Sequence, residues 1–167
     1  SLSIDRSIVH NVQIYDKRIM YFFDCAAESF GAGEYYVNLK RALGASLKNV
    51  NADQSYIKGK QAGYSSSLGG TDDNVDISVK NGGGNDIWEH GYWAHGGKTI
   101  NYSFELPAGT YYVNEGFYEW WNTQRNMKIL VSADGTQIEG KSFTLGRADT
   151  RNQQSVKFKL STNQVVT

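Results

Sequence analysis

The chain reads as an all-β protein, an antiparallel β-sandwich with one short helix and a long loop excursion, on three observations. Ile100, Tyr102, Phe104 and Leu106 alternate with Asn101, Ser103 and Glu105, the two-residue period of a half-buried strand. Turn signals divide the second half of the sequence at short intervals, at Pro107-Ala108-Gly109 and at Asp134-Gly135. The composition agrees: 11 Tyr, 7 Phe and 4 Trp accompany 18 Gly and a single Pro, a mixture suited to many short strands joined by turns.

Residues 8–15 alternate loosely through Ile8, His10, Val12 and Ile14 and predict an outer strand. Residues 19–27 (IMYFFDCAA) form a continuous apolar run of a length that predicts a buried strand. Between 34 and 48, Leu39, Leu43 and Leu47 recur every four residues and Tyr36 precedes the first by three, which is helical spacing; Gly44 inside it weakens the helix. Residues 49–86 are polar, contain Gly69-Gly70 and Gly82-Gly83-Gly84, and predict a long excursion over one end of the fold, with a strand-like piece at 75–80.

Residues 110–119 follow the first turn as a second regular strand. Tyr111, Val113 and Phe117 fall on one face together with Glu115 and Glu119, and Tyr112, Asn114, Gly116, Tyr118 and Trp120 on the other. A third strand covers 127–131 and turns at Asp134-Gly135. A fourth covers 155–160, with Val156, Phe158 and Leu160 facing one way and Lys157 and Lys159 the other. Residues 163–167 begin a further alternating segment that reads as a final strand cut short, as in a module excised from a longer chain. At 167 residues, one domain is expected over the whole length, with a core that needs no metal or disulfide.

Charge excludes some partners. Lys+Arg and Asp+Glu balance at 17 each, so bulk charge steers the protein toward neither nucleic acid nor an anionic membrane. No segment approaches the roughly 18 apolar residues of a membrane span, and the first ten residues lack the basic and apolar regions of a signal peptide. Cys25 is the sole cysteine, lies in an apolar run, and reads as a small core residue.

All four tryptophans lie in two short segments, Trp88-Glu89-His90-Gly91-Tyr92-Trp93 and Tyr118-Glu119-Trp120-Trp121-Asn122. Flat aromatics interleaved with carboxylates and amides suit sugar rings, whose apolar faces stack while their hydroxyls need polar partners at the rim. Trp120 and Trp121 are adjacent on an extended chain and cannot both point into one core. The expected binding set is Trp88, Glu89, Tyr92, Trp93, Tyr118, Glu119, Trp120, Trp121, Asn122 and Arg125.

From residue 21 onward the order of features resembles the malectin-like and related galactose-binding-type jelly-roll modules attached to bacterial polysaccharide-degrading enzymes. The pieces that carry the resemblance are Phe23-Asp24-Cys25-Ala26-Ala27-Glu28, the leucine-spaced helix, Asp53-Gln54-Ser55-Tyr56, residues 100–106 with Pro107-Ala108-Gly109-Thr110-Tyr111, and Gly116-Phe117-Tyr118-Glu119 followed by aromatics. The resemblance implies a non-catalytic, secreted carbohydrate-binding module, monomeric, with a carbohydrate polymer and a linked glycoside hydrolase as partners and loop aromatics in the places of Tyr92 or Trp93 and of Trp120 and Trp121. It also implies that a structural calcium is possible, though no cofactor is required. Glu115 stands where such modules carry an apolar residue, and the final strand is shorter than theirs.

Other chemistries are weighed on the same residues. A glycoside hydrolase needs two carboxyl groups about 5 to 10 Å apart. Glu115 and Glu119, four residues apart on one strand face, lie about 13 Å apart, which leaves Glu89 and Glu119 as the pair to test; otherwise these two are expected to accept hydrogen bonds from sugar hydroxyls beside the aromatics, or to pair with Arg125. Asp72-Asp73-Asn74-Val75-Asp76 begins like an EF-hand loop but has Ile77 at the sixth position and Gly83 at the twelfth, so calcium would need another arrangement, using some of these groups or Glu28. His90 and His95 lack further ligands at zinc spacing, and Gly82-Gly83-Gly84 lacks the Lys-Ser/Thr of a phosphate loop. Glu89, Glu115 and Glu119 outnumber Arg125 and Lys128 around the aromatics, a sign that argues against nucleic acid. A protein-interaction or adhesion domain is the alternative use of an exposed aromatic patch.

Overall fold

The computed structural model describes residues 16–27, 34–69, 75–80 and 87–167. The outer strand expected at 8–15, and Glu28, Asp72, Asp73, Asn74 and Gly82 to Gly84, lie outside them. The described chain is all-β with one short helix: α1 (Glu34–Leu43), then β1 (Gly63–Tyr64), β2 (Leu68–Gly69), β3 (Ile77–Lys80), β4 (Gly91–Ala94), β5 (Tyr102–Leu106), β6 (Gly109–Phe117), β7 (Arg125–Ala133), β8 (Thr136–Leu145), β9 (Asn152–Leu160) and β10 (Gln164–Val166).

These strands form a five-stranded sheet in the order β1-β5-β10-β7-β8, a three-stranded sheet β2-β3-β4 and a two-stranded ladder β6-β9. The main core lies between the first and the last: Leu106, Ile129, Val131, Ala133 and Val166 from the five-stranded sheet meet Val156, Phe158 and Leu160 of β9, with Tyr111, Val113 and Phe117 of β6 against them. These are the inward sets that alternation predicts for 110–119 and 155–160. Tyr112 and Asn114 face solvent, as do Lys157 and Lys159, while Gly116 on the same face lies against Trp88.

The Asp134-Gly135 turn has φ of 47° and 83° at its two residues, the left-handed pair of a two-residue hairpin turn, and it joins β7 to β8. β8 itself carries no alternating apolar signal and was absent from the sequence reading; of its ten residues only Leu145 is buried. The short segment at 163–167 is interior to its sheet: Val166 pairs with Phe104 on one side and Ala133 on the other.

Two expectations are corrected. Residues 19–27 are buried or half-buried, but they join no sheet. The Asn49 side chain serves both the N–H of Phe22 (3.1 Å) and its carbonyl (2.8 Å), and the Asp24 N–H donates to the Ala52 carbonyl (2.9 Å), so loop groups replace a ladder. Residues 49–86 are less of a loop than expected, since they hold β1, β2 and β3.

The helix is as predicted in register and shorter in length. Tyr36, Leu39 and Leu47 are buried beneath it with Ala27 and Ala52, and Gly44, at φ +57°, begins the tight turn that ends it before Leu47. A third cluster, Ala26, Ile77 and Tyr92 with Cys25, Tyr64, Val79, Ala94 and Tyr102, lies under β3 and β4. It is the floor on which the tryptophan segments are built.

Candidate functional site

β4 and the β6–β7 connection, residues 118–124, bring the tryptophan segments together. Alternation along β4 turns Tyr92 inward and leaves Trp93 on the opposite face. On that face Gly91 makes room for Trp120: a Cβ on Gly91 would lie 3.0 Å from the indole. Trp88, in the turn before β4, rests on Gly116 of β6, where a Cβ would fall 2.7 Å from its ring. Two glycines are thus fitted to two tryptophans.

The rings then contact one another. Tyr118 stacks on Trp120 at 5.5 Å and 27°, Trp120 meets Trp121 at 5.9 Å and 86°, and Trp121 meets Trp93 at 5.9 Å and 73°. Trp120 and Trp121 lie in a bend rather than on a strand, so the opposite-face alternation expected of neighbours does not apply and their rings meet edge to face. Trp120 is half-buried and its Nε1 finds no acceptor among the described residues, so packing holds the ring. Trp88 and Trp93 are also half-buried, while Trp121 is 47% exposed.

Charged groups surround the exposed ring. The Lys80 Nζ lies 5.5 Å from its centroid and the Arg125 guanidinium carbon 5.6 Å, within cation–π range. Glu119 lies beneath, its side chain 1% exposed; it accepts from Arg125 Nε at 2.5 Å and Nη2 at 3.2 Å and from the Trp121 N–H at 2.8 Å. Burial pushes the Glu119 pKa up, but those hydrogen bonds outweigh it and hold the carboxyl below its ordinary value. Asn122, exposed at φ +51°, turns the chain immediately after the platform, a conformation that Asn tolerates better than most residues.

Two members of the expected set change role. Tyr92 is withdrawn from the surface: it is buried, and its hydroxyl donates to Asp53 Oδ2 at 2.7 Å. Glu119 is no open rim acceptor; its oxygens are spent on holding Arg125 and Trp121, the pairing that was its other expected use. Glu89 sits half-buried in the turn before β4. A general acid must stay protonated near working pH, and Glu119, held low by Arg125, is poorly suited to that half of a Glu89/Glu119 couple.

Three functional supports escaped the sequence reading. Asp53, fully buried, accepts from the hydroxyls of Tyr92 and Tyr102 and from the N–H groups of Ala26 and Gln54, which locks the β4 floor to the 24–27 segment. Asp24 and His90 form a buried pair at 2.7 Å. A carboxylate inside an apolar run such as MYFFDCAA needs a partner, and that was the available signal. Lys80 carried no local signal at all. His95 tilts onto Trp93 at 4.4 Å and shares a 2.9 Å hydrogen bond with Ser78.

No group of three or more metal-ligating side chains occurs among the described residues. Asp76, the described member of the acidic turn, exchanges hydrogen bonds with Ser67 and pairs with Lys98. No described helix is long and apolar enough to cross a membrane. No family model, curated protein or solved structure matches this chain.

Proposed function

We propose that this protein is a non-catalytic carbohydrate-binding module of jelly-roll type, secreted, which keeps a linked glycoside hydrolase near its polymer. One observation carries the reading: an indole nearly half exposed at Trp121, fixed between Trp93 and Trp120, with a guanidinium held over it, 5.6 Å from the ring centroid, by a buried carboxylate. A rigid flat face bordered by oriented N–H donors is what a sugar ring needs, because stacking and hydroxyl hydrogen bonds must be satisfied together. Such a surface desolvates little area, so each contact is weak, and the benefit to a tethered enzyme comes through effective concentration.

Native affinity electrophoresis against plant, fungal and bacterial polysaccharides tests this. Retardation in at least one gel, abolished by Trp121→Ala and weakened by Trp93→Ala, is the expected result. Uniform mobility across the panel would refute it.

The alternative reading is protein adhesion, for which exposed aromatic and apolar side chains are the markers. Across β7 and β8 a hollow of about 300 Å³ is lined by Lys128, Leu130, Gln137, Gly140, Lys141 and Ser142, with Leu130 50% exposed. Leu130→Asp separates the readings, since it would abolish protein capture and leave polysaccharide retardation intact.

A further inference from the structure

We infer that the ligand of the Trp121 site is an anionic saccharide, whose carboxylate or sulfate ester is received by Lys80 and Arg125 while its ring lies on Trp121. This rests on the carbohydrate reading above and narrows its ligand class.

The argument is one of sign in space. Counted along the chain, the aromatic segments look acidic, with Glu89, Glu115 and Glu119 among them. Folding removes two of these charges from the surface. Glu115 belongs to the inward register of β6, with Val113 and Phe117, and burial raises its pKa. Glu119 is buried and already compensated by Arg125. Folding also delivers a cation from elsewhere, because β3 pairs with β4 and sets Lys80 opposite Gly91, on the side where Trp120 and Trp121 pack. With Glu119 and Arg125 neutralising each other, Lys80 is left as the uncompensated positive charge at the ring, and the Arg125 guanidinium adds oriented N–H donors beside it.

The donors there have capacity left. Arg125 has five N–H groups and spends two on Glu119, which orients the guanidinium without consuming it. Lys80 makes no ion pair with any described residue, whereas nearby Lys98 is paired with Asp76. Among the described residues its partner is the Trp121 ring, a weak contact that a carboxylate replaces readily, and moving it uncovers the ring for stacking. One uncompensated cation beside an oriented guanidinium, on a chain of balanced net charge, suits a single anionic substituent better than the phosphate-tracking groove of a nucleic acid.

The test is affinity electrophoresis of the whole protein, followed by calorimetry on the retarding polymers. The probes are polygalacturonate and alginate for carboxylates, chondroitin sulfate for sulfate esters, neutral galactan, arabinan, xylan and β-glucan, and a thymidine oligonucleotide. Retardation by the uronate or the sulfated polymers, falling as salt is raised, is expected, and the arm that binds identifies the anion. Lys80→Gln is expected to lose roughly tenfold in affinity, with Lys80→Arg restoring most of it and thermal midpoints unchanged. Retardation by neutral polymers alone, or Lys80→Gln binding as tightly as wild type, would overturn the inference and leave the carbohydrate reading standing. Binding to the oligonucleotide alone, or to nothing, would overturn both.

Discussion

Replacing Glu119 by Gln removes one charge from beneath the Trp121 platform and leaves the shape nearly unchanged. In the native protein that carboxylate holds Arg125 Nε at 2.5 Å, Nη2 at 3.2 Å and the Trp121 N–H at 2.8 Å. Breaking a fully buried pair on one side costs about 3–5 kcal/mol. Here Glu119 is 1% exposed but Arg125 is 42% exposed, so solvent already screens half of the pair. Gln keeps one oxygen for the Trp121 N–H and presents an amide to a guanidinium, two donors facing each other. We expect a loss of about 1–2 kcal/mol, seen as a thermal midpoint lower by about 2–8 °C in a chain of this size.

The same variant has a pH signature. A carboxyl whose folded pKa is depressed contributes stability above its unfolded value and loses it as pH falls through the folded one. Glu119 lies below its ordinary 4.5. The gap between wild type and Glu119→Gln should therefore be full near neutrality and close progressively as pH falls below about 4.5. Urea denaturation at several pH values, followed by tryptophan fluorescence, measures it. A gap independent of pH, or none at neutrality, would refute the anchoring role given to this carboxylate.

Three further outcomes follow from the floor and the packing. Burial first, and the neighbouring Asp53 carboxylate second, push the Cys25 thiol up to about 12; native protein should resist iodoacetamide at mildly alkaline pH and label readily in urea, and fast labelling of the folded state would contradict this. Asp53→Ala strands the Tyr92 and Tyr102 hydroxyls and the Ala26 and Gln54 N–H groups, and should cost about 3–5 kcal/mol by urea midpoint; a cost under about 1 kcal/mol would sink the keystone role. Gly116→Val forces its side chain into the Trp88 ring, which a Cβ would approach to 2.7 Å. It should destabilise by about 1–3 kcal/mol and shift tryptophan emission, and an unchanged spectrum would mean that Trp88 does not rest there.

Legibility varied with how local the cause was. β6 and β9 could be read because one face of each is covered by the main core and the other is wetter, so apolar and polar residues alternate; β5 could be read in its apolar positions, although Ser103 on its other face is buried and Ile100 lies exposed before it. The helix register could be read from Tyr36, Leu39 and Leu43; its end could not, since the leucine spacing runs on to Leu47, which lies past Gly44 and outside the helix. β8 could not, because only Leu145 is buried in it and an exposed strand needs no apolar pattern. The 19–27 run misled for the opposite reason: burial makes a segment apolar whether a ladder or the Asn49 amide satisfies its backbone.

In the candidate site, the pairing of Glu119 with Arg125 was legible, since the partners lie six residues apart, whereas the contact between Trp120 and Trp121 was not, because the chain bends there. Tyr92 was misplaced because its burial depends on Asp53, 39 residues earlier. The sequence by itself determined an all-β chain, its main turns, and the two places where tryptophans gather, because period and turn chemistry act over a few residues. Tertiary structure alone decided which indole stays wet, which carboxylates are cancelled and that Lys80 joins the platform. Burial and charge pairing are set by whatever the fold carries alongside, and no local pattern contains that.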